Sequence, residues 1–228
     1  MNRLRAFIRN PAGSAAAEFA LVLPIALLFF FGIIDIGRYV WRINELEKAV
    51  QMGTRYAVAT DIVADRLIEA DYVGGDLTCP SPDDPDTPLP ITPGMTICRG
   101  AQGTVTCRKT GGAVTCDCAV TAQGDDSCQG DEVGNAPAFD RILTRMRVVA
   151  PFIADDEVII KYDSSGLGFA GDPATDDDGN DLSDTAPIVT VAVSSTTMRM
   201  LFLLGGQVRL PSFSYSQTLE DGDGAVAY

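Results

Sequence analysis

The sequence contains no histidine and a single tryptophan. Without imidazole the chain lacks the commonest general base, the usual partner of a nucleophilic serine and the commonest metal ligand. No G-x-S-x-G elbow, P-loop or dinucleotide glycine fingerprint occurs. Ser164-Ser165-Gly166-Leu167-Gly168 is glycine-rich but joins no recognisable strand–turn–helix unit. Carboxylates are numerous enough for a two-acid hydrolase, but most lie in Pro- and Gly-rich loops that do not hold a catalytic pair rigidly. The chain therefore reads as a non-enzyme that needs no cofactor.

Basic residues are also scarce, 17 Lys and Arg against 31 Asp and Glu, for a formal charge of −14. The first thirteen residues carry Arg3, Arg5 and Arg9 and no acid, so the remainder carries −17 (−14 less +3). A surface this acidic excludes nucleic acid as a partner and argues against adhesion of the soluble part to anionic lipid.

Cysteine is absent before Cys79 and after Cys128. The six that occur, Cys79, Cys98, Cys107, Cys116, Cys118 and Cys128, form an even, clustered set, which suggests disulfides in an oxidising compartment. Thr104-Val105-Thr106-Cys107-Arg108 and Ala113-Val114-Thr115-Cys116 flank Gly111-Gly112, a hairpin signal that sets Cys107 opposite Cys116. Six cysteines allow 15 connectivities. A zinc site is the weaker alternative, since Cys116-Asp117-Cys118 is C-x-C and no histidine can assist.

Against these absences stands one long apolar run. From Phe19 to Ile34 there is no charge, and from Ser14 to Ile34 the only charge is Glu18. About 20 apolar residues of helix cross a bilayer core, so the run is long enough to span. Three arginines precede it with no acid among them, which predicts an N-terminus on the cytoplasmic side and the large domain outside. The small residues of a cleavage site lie before the run, at Ala12 to Ala17, and Ile34-Asp35-Ile36-Gly37 after it is a poor site for an ordinary signal peptidase. Pro24 is expected to kink the helix.

Beyond the run, Ile43, Leu46, Val50, Gly53, Ala57, Thr60, Ala64 and Leu67 recur in steps of three and four. That predicts one helix continuing to about residue 70, its stripe facing a core, with a self-associating coiled coil as the alternative. A second helix is expected from Phe139 to Val149, opened by Asn135-Ala136-Pro137. Glu157–Tyr162 and Ile188–Val193 read as strands, Met198–Leu204 as a helical turn or packed loop, and Val208–Leu219 as a last strand or bent hairpin. The order predicts an α+β fold with a small, mostly antiparallel sheet. The chain divides into residues 1–13, a basic leader; 14–34, the spanning helix; 35–71, its amphipathic continuation; 72–134, a Pro/Asp- and Cys-rich insertion; and 135–228, helix plus sheet. In the acidic loop 172–184, Asp176, Asp178 and Asp181 are a weak calcium candidate, because Ala174 and Thr185 stand where an EF-hand needs acids. A solvated loop is the better reading, so no metal is assigned.

The sequence from Gly13 to Glu18 and Phe19 resembles the class III signal sequences of type IV pilin-like proteins. More narrowly, Ala16-Ala17-Glu18-Phe19-Ala20-Leu21-Val22-Leu23-Pro24, Gly32-Ile33-Ile34-Asp35-Ile36-Gly37-Arg38 and Gly53-Thr54-Arg55-Tyr56-Ala57 resemble the TadE-like pseudopilins of tight-adherence (Flp) pilus systems. The resemblance implies a prepilin peptidase cutting between Gly13 and Ser14, and a Glu18 that pairs with a neighbouring subunit's new amine, with Phe19 beside it as a recognition residue. It further implies a pilin-like periplasmic domain, incorporation into a pilus, and contact with membrane lipid, other pilins or pseudopilins and the inner-membrane assembly platform. The expected function is that of a minor pilin or pseudopilin. The alternative is an uncleaved single-pass periplasmic binding or scaffold protein.

Overall fold

The structure is a computed structural model that describes residues 11–64, 67, 72–73, 77–84, 86–119, 132–171, 186–194, 196–202 and 206–219. The chain folds into two compact units. The first combines the N-terminal chain up to Ile43 with Thr197–Leu210, and the second comprises Asn44–Thr196 and the C-terminal chain from Pro211.

Helix α1 runs unbroken from Pro11 to Ala57, through Pro24. From Ala15 to Phe30 every residue is exposed, although most are large and apolar. A helix apolar on all faces is suited to lipid or to a helical bundle rather than to water. The helix is long and apolar enough to cross a membrane. In the first unit it is joined by a hairpin of β8 (Thr197–Arg199) and β9 (Gln207–Arg209), paired through Met198 and Val208. The sequence of residues 198–204 predicts a helical turn or packed loop. The short apolar run instead begins as a strand, and Met200 N–H donates to Gly206 O at 2.9 Å to extend the pairing.

The second unit is built on a six-stranded antiparallel sheet in the order β10-β7-β6-β3-β4-β5. Its strands are β3 (Thr104–Thr110), β4 (Ala113–Ala119), β5 (Glu132–Val133), β6 (Val158–Asp163), β7 (Ile188–Val193) and β10 (Phe213–Thr218). The fold is α+β. Alternation buries Val105 and Cys107, Val114 and Cys116, Val158, Ile160 and Tyr162, and Val189, Val191 and Val193 on one face. Helix α3 (Ala136–Arg147) is capped by Asn135, whose side chain accepts from Ala138 N–H at 2.9 Å, and it buries Phe139, Ile142, Leu143 and Met146. The hairpin within residues 72–134, the stretch expected to be an insertion, supplies β3 and β4 between β5 and β6. It belongs to the sheet because Val105 and Cys107 complete the buried face begun by β6.

The stripe from Leu46 to Leu67 is buried, but α1 ends at Ala57, earlier than the periodicity predicts. The reason is tertiary. Val63 N–H donates to the Tyr162 hydroxyl at 2.9 Å, and Val63 O accepts from Asn135 N–H at 2.7 Å. Both backbone groups of Val63 are thus satisfied outside a helix, and the Thr60 hydroxyl donates to Tyr56 O at 3.0 Å over the open helix end.

A smaller core lies apart from the sheet face. Tyr72, Leu77, Cys79, Ile91, Ile97, Ala101 and Ala170 pack together there. It is framed by the β1 (Thr78–Pro80) and β2 (Pro88–Pro90) pair and by the short helix α2 (Arg99–Gln102).

Candidate functional site

The residues singled out for processing and assembly lie together at the start of α1. Gly13 and Ser14 occupy its first turn, after Pro11, a residue favoured at a helix start because its missing N–H would be unpaired there in any case. Ser14 and Glu18 are four residues apart and so share one face, a single turn from each other. Glu18 and Phe19 are both exposed, Phe19 at 65%. No acid occupies the first turn, so Glu18 is the first carboxylate along the helix. The arrangement offers an exposed carboxylate on an apolar shaft, beside the position of a chain end that cutting would create.

A second polar group sits where the apolar run stops. Asp35 is fully buried, its Oδ1 accepting from Leu201 N–H and its Oδ2 from Phe202 N–H, each at 3.0 Å. Arg38, one turn on, approaches Oδ1 at 3.4 Å. The Phe31 and Phe202 rings stack at 4.5 Å between centroids and 12° between planes. In the sequence Asp35 stands within the Gly32–Arg38 stretch that resembles TadE-like proteins, with no role of its own assigned to it. The available signal was its position, an acid directly against the last apolar residue and three residues before an arginine.

The cysteines among the described residues are oxidised. Cys79 is bonded to Cys98, and Cys107 to Cys116 across β3 and β4, as the Gly111-Gly112 turn predicts. Both turn glycines have positive φ, 61° and 89°, the conformation a tight two-residue hairpin requires. Cys118 is also disulfide-bonded. Cys128 and the acidic loop with Asp176, Asp178 and Asp181 lie outside the described residues.

Outside the helix, a charge cluster joins the β3–β4 hairpin to α3. Lys109 donates to Asp140 and lies 3.5 Å from Asp155, which Arg147 also contacts at 2.5 Å. The hydrogen bond to Asp140 raises the Lys109 ammonium above its ordinary value, against the opposing effect of burial. The hydrogen bond from Arg147 lowers the Asp155 carboxyl, again against burial, with the charges of Arg147 and Lys109 adding to it. This cluster ties the hairpin to α3 and to the turn at Asp155.

Residues 13–55 match the family of TadE-like proteins, less than a fifth of the chain. No curated protein and no solved structure matches it. The match begins at Gly13, takes in Glu18, Phe19 and Asp35, and ends two residues before α1 does. The helix that holds the candidate residues is the segment similar to TadE-like proteins.

Proposed function

We propose that the protein is a minor pilin or pseudopilin of a tight-adherence pilus, an assembly component rather than an enzyme. The observation that carries the reading is the TadE-like match beginning at Gly13 and running along an exposed, apolar helix with Glu18 near its start. A prepilin peptidase would hydrolyse the Gly13–Ser14 bond. That bond lies in the first helical turn, where few intrahelical hydrogen bonds must open. Glycine further loosens the turn, by about 1 kcal/mol relative to alanine.

The cut leaves an ammonium on Ser14. A carboxylate in lipid costs about 2.5–3.5 kcal/mol at the bilayer centre and less near an interface. Pairing Glu18 with the amine of an adjacent subunit offsets that cost and sets the axial register between subunits. The N-terminus lies on the cytoplasmic side before processing, and the disulfide-containing domain lies in the periplasm, from which the pilus is assembled. The bulk of the domain suits a component that initiates, caps or regulates a thin adhesive fibre.

The test is N-terminal sequencing of the membrane protein from cells with and without the prepilin peptidase. The expected N-terminus is Ser14 in the first and Met1 in the second. Met1 in both would overturn the assembly reading and favour an uncleaved anchor.

A further inference from the structure

We propose that the β8–β9 hairpin is a second membrane contact, with Leu201 and Phe202 entering the lipid interface beside the end of the apolar run. The proposal rests on α1 spanning the membrane, and does not depend on cleavage at Gly13 or on assembly into a pilus.

Placement comes first. Phe31 lies inside the uncharged run that ends at Ile34, and Phe202 stacks directly on it. Whatever medium surrounds α1 at Phe31 therefore meets Phe202 as well. Three residues of helix set Phe31 about 4.5 Å inside the end of the run, close to the depth of about 5–10 Å that interfacial segments reach. Leu201 and Phe202 remain 60% and 46% exposed, so their apolar surface is left for that medium.

Backbone chemistry is the second argument. Lipid-exposed irregular chain does not occur within the hydrocarbon core, so the segment lies at the interface, where fewer unsatisfied backbone groups make contact less costly. Here the N–H groups of Leu201 and Phe202 both donate to the Asp35 carboxylate, and Met200 N–H donates to Gly206 O. Asp35 is itself fully buried and has Arg38 beside it, which suits a charge at the edge of hydrocarbon.

Charge is the third. The segment Thr197–Leu210 carries Arg199 and Arg209, both exposed, and no acid, although the chain after the leader is strongly acidic. Arginines near exposed apolar residues such as Leu201 and Phe202 can extend their guanidinium groups toward headgroup phosphates. The local sign is thus opposite to that which argues against lipid adhesion by the domain as a whole. The occupant is membrane lipid.

The experiment uses the full chain in phosphatidylcholine–phosphatidylglycerol vesicles. Trp41→Phe removes the single native tryptophan, and one reporter is then introduced as Leu201→Trp, Phe202→Trp or Phe29→Trp. Leu201→Trp leaves the ring stack intact, so the result does not hang on the Phe202 substitution. At low protein-to-lipid ratio, lipid brominated high on its acyl chains should quench the reporters at 201 and 202. The loss should be comparable with that of the reporter at 29, and aqueous iodide should have little effect on any of them. Quenching at 201 and 202 by iodide, with the reporter at 29 still quenched by bromolipid, overturns the proposal and leaves the spanning helix standing. Shielding of 201 and 202 from both quenchers means that a second copy covers the hairpin, which also overturns it. Failure of bromolipid to quench the reporter at 29 overturns the proposal together with the spanning reading.

Discussion

The Tyr162 hydroxyl accepts the Val63 backbone N–H at 2.9 Å, between two fully buried residues that lie 99 apart in sequence. The bond replaces the helical partner that Val63 would have if α1 continued, and so holds Val63 outside a helix. Tyr162→Phe leaves this buried donor without its acceptor, at a cost of about 1–3 kcal/mol. The expected result is a lower denaturation midpoint with an unchanged slope, measured on the detergent-solubilised chain. A midpoint equal to that of the parent would show that the helix end is held by other contacts.

That bond also marks what the sequence could disclose. Helical periodicity correctly marked Leu46, Val50, Gly53, Ala57, Thr60, Ala64 and Leu67 as core-facing. It could not show that the last three leave the helix, because no Gly or Pro interrupts residues 58–64 and the competing partners, Tyr162 and Asn135, come from distant elements. By contrast, Gly111-Gly112 encodes its turn locally, and the Cys107–Cys116 pairing follows from it. The β8–β9 hairpin was hidden because strands of three residues carry too little periodicity to be told from a packed loop. Asp35 is the clearest miss at the candidate site. Its role depends on two N–H groups more than 160 residues away, and no spacing rule reaches that far.

Two glycines without positive φ should respond differently to alanine. At Gly53 an added Cβ would meet the Met146 side chain, with Cγ at 2.7 Å and Sδ at 2.8 Å. Methionine is flexible and can shift, and replacing a mid-helix glycine by alanine gains about 1 kcal/mol of helix propensity. Gly53→Ala is therefore expected to be near neutral. At Gly134 the added atom would meet Val114 Cγ1 at 2.7 Å, Cys116 Sγ at 2.8 Å and Val63 O at 3.2 Å. The sulfur is held by a disulfide and the oxygen is backbone, so neither yields easily, and Gly134→Ala should cost about 1–3 kcal/mol. Thermal or urea denaturation of the pair checks the order, and a Gly53→Ala loss equal to that of Gly134→Ala would contradict it.

The two described disulfides serve different cores. Cys107–Cys116 lies in the buried face of the main sheet, whereas Cys79–Cys98 belongs to the smaller cluster with Tyr72, Leu77 and Ile97. Replacing either pair with alanine should cost about 2–4 kcal/mol. The spatial pattern should differ, as read by amide hydrogen exchange. Loss of Cys79–Cys98 should raise exchange mainly at residues 77–102. Loss of Cys107–Cys116 should raise it through β3, β4 and β6 and in the C-terminal turns of α1. Identical exchange patterns for the two variants would show that the cores do not open separately.

The Lys109–Asp155–Arg147 cluster should contribute to stability at both ends of the pH range. Asp155 has its folded pKa lowered, chiefly by the hydrogen bond from Arg147. Its contribution is therefore complete above the unfolded value near 3.8, and is lost as pH falls below that toward the depressed folded value. Lys109 has its folded pKa raised, chiefly by the hydrogen bond to Asp140. Its contribution is complete below 10.5 and is lost as pH rises through the elevated folded value. The carboxylates are almost half exposed, at 46% for Asp155 and 49% for Asp140, so solvent screening keeps each contribution within about 1 kcal/mol. Asp155→Asn should flatten the acid limb of a stability–pH curve and leave the curve between pH 5 and pH 8, a range in which folded proteins are commonly most stable, displaced but parallel to that of the parent. Lys109→Met should flatten chiefly the alkaline limb, with a smaller effect on the acid limb because Lys109 also lowers the Asp155 carboxyl. An acid limb of undiminished slope in Asp155→Asn would assign the acid sensitivity to other carboxylates.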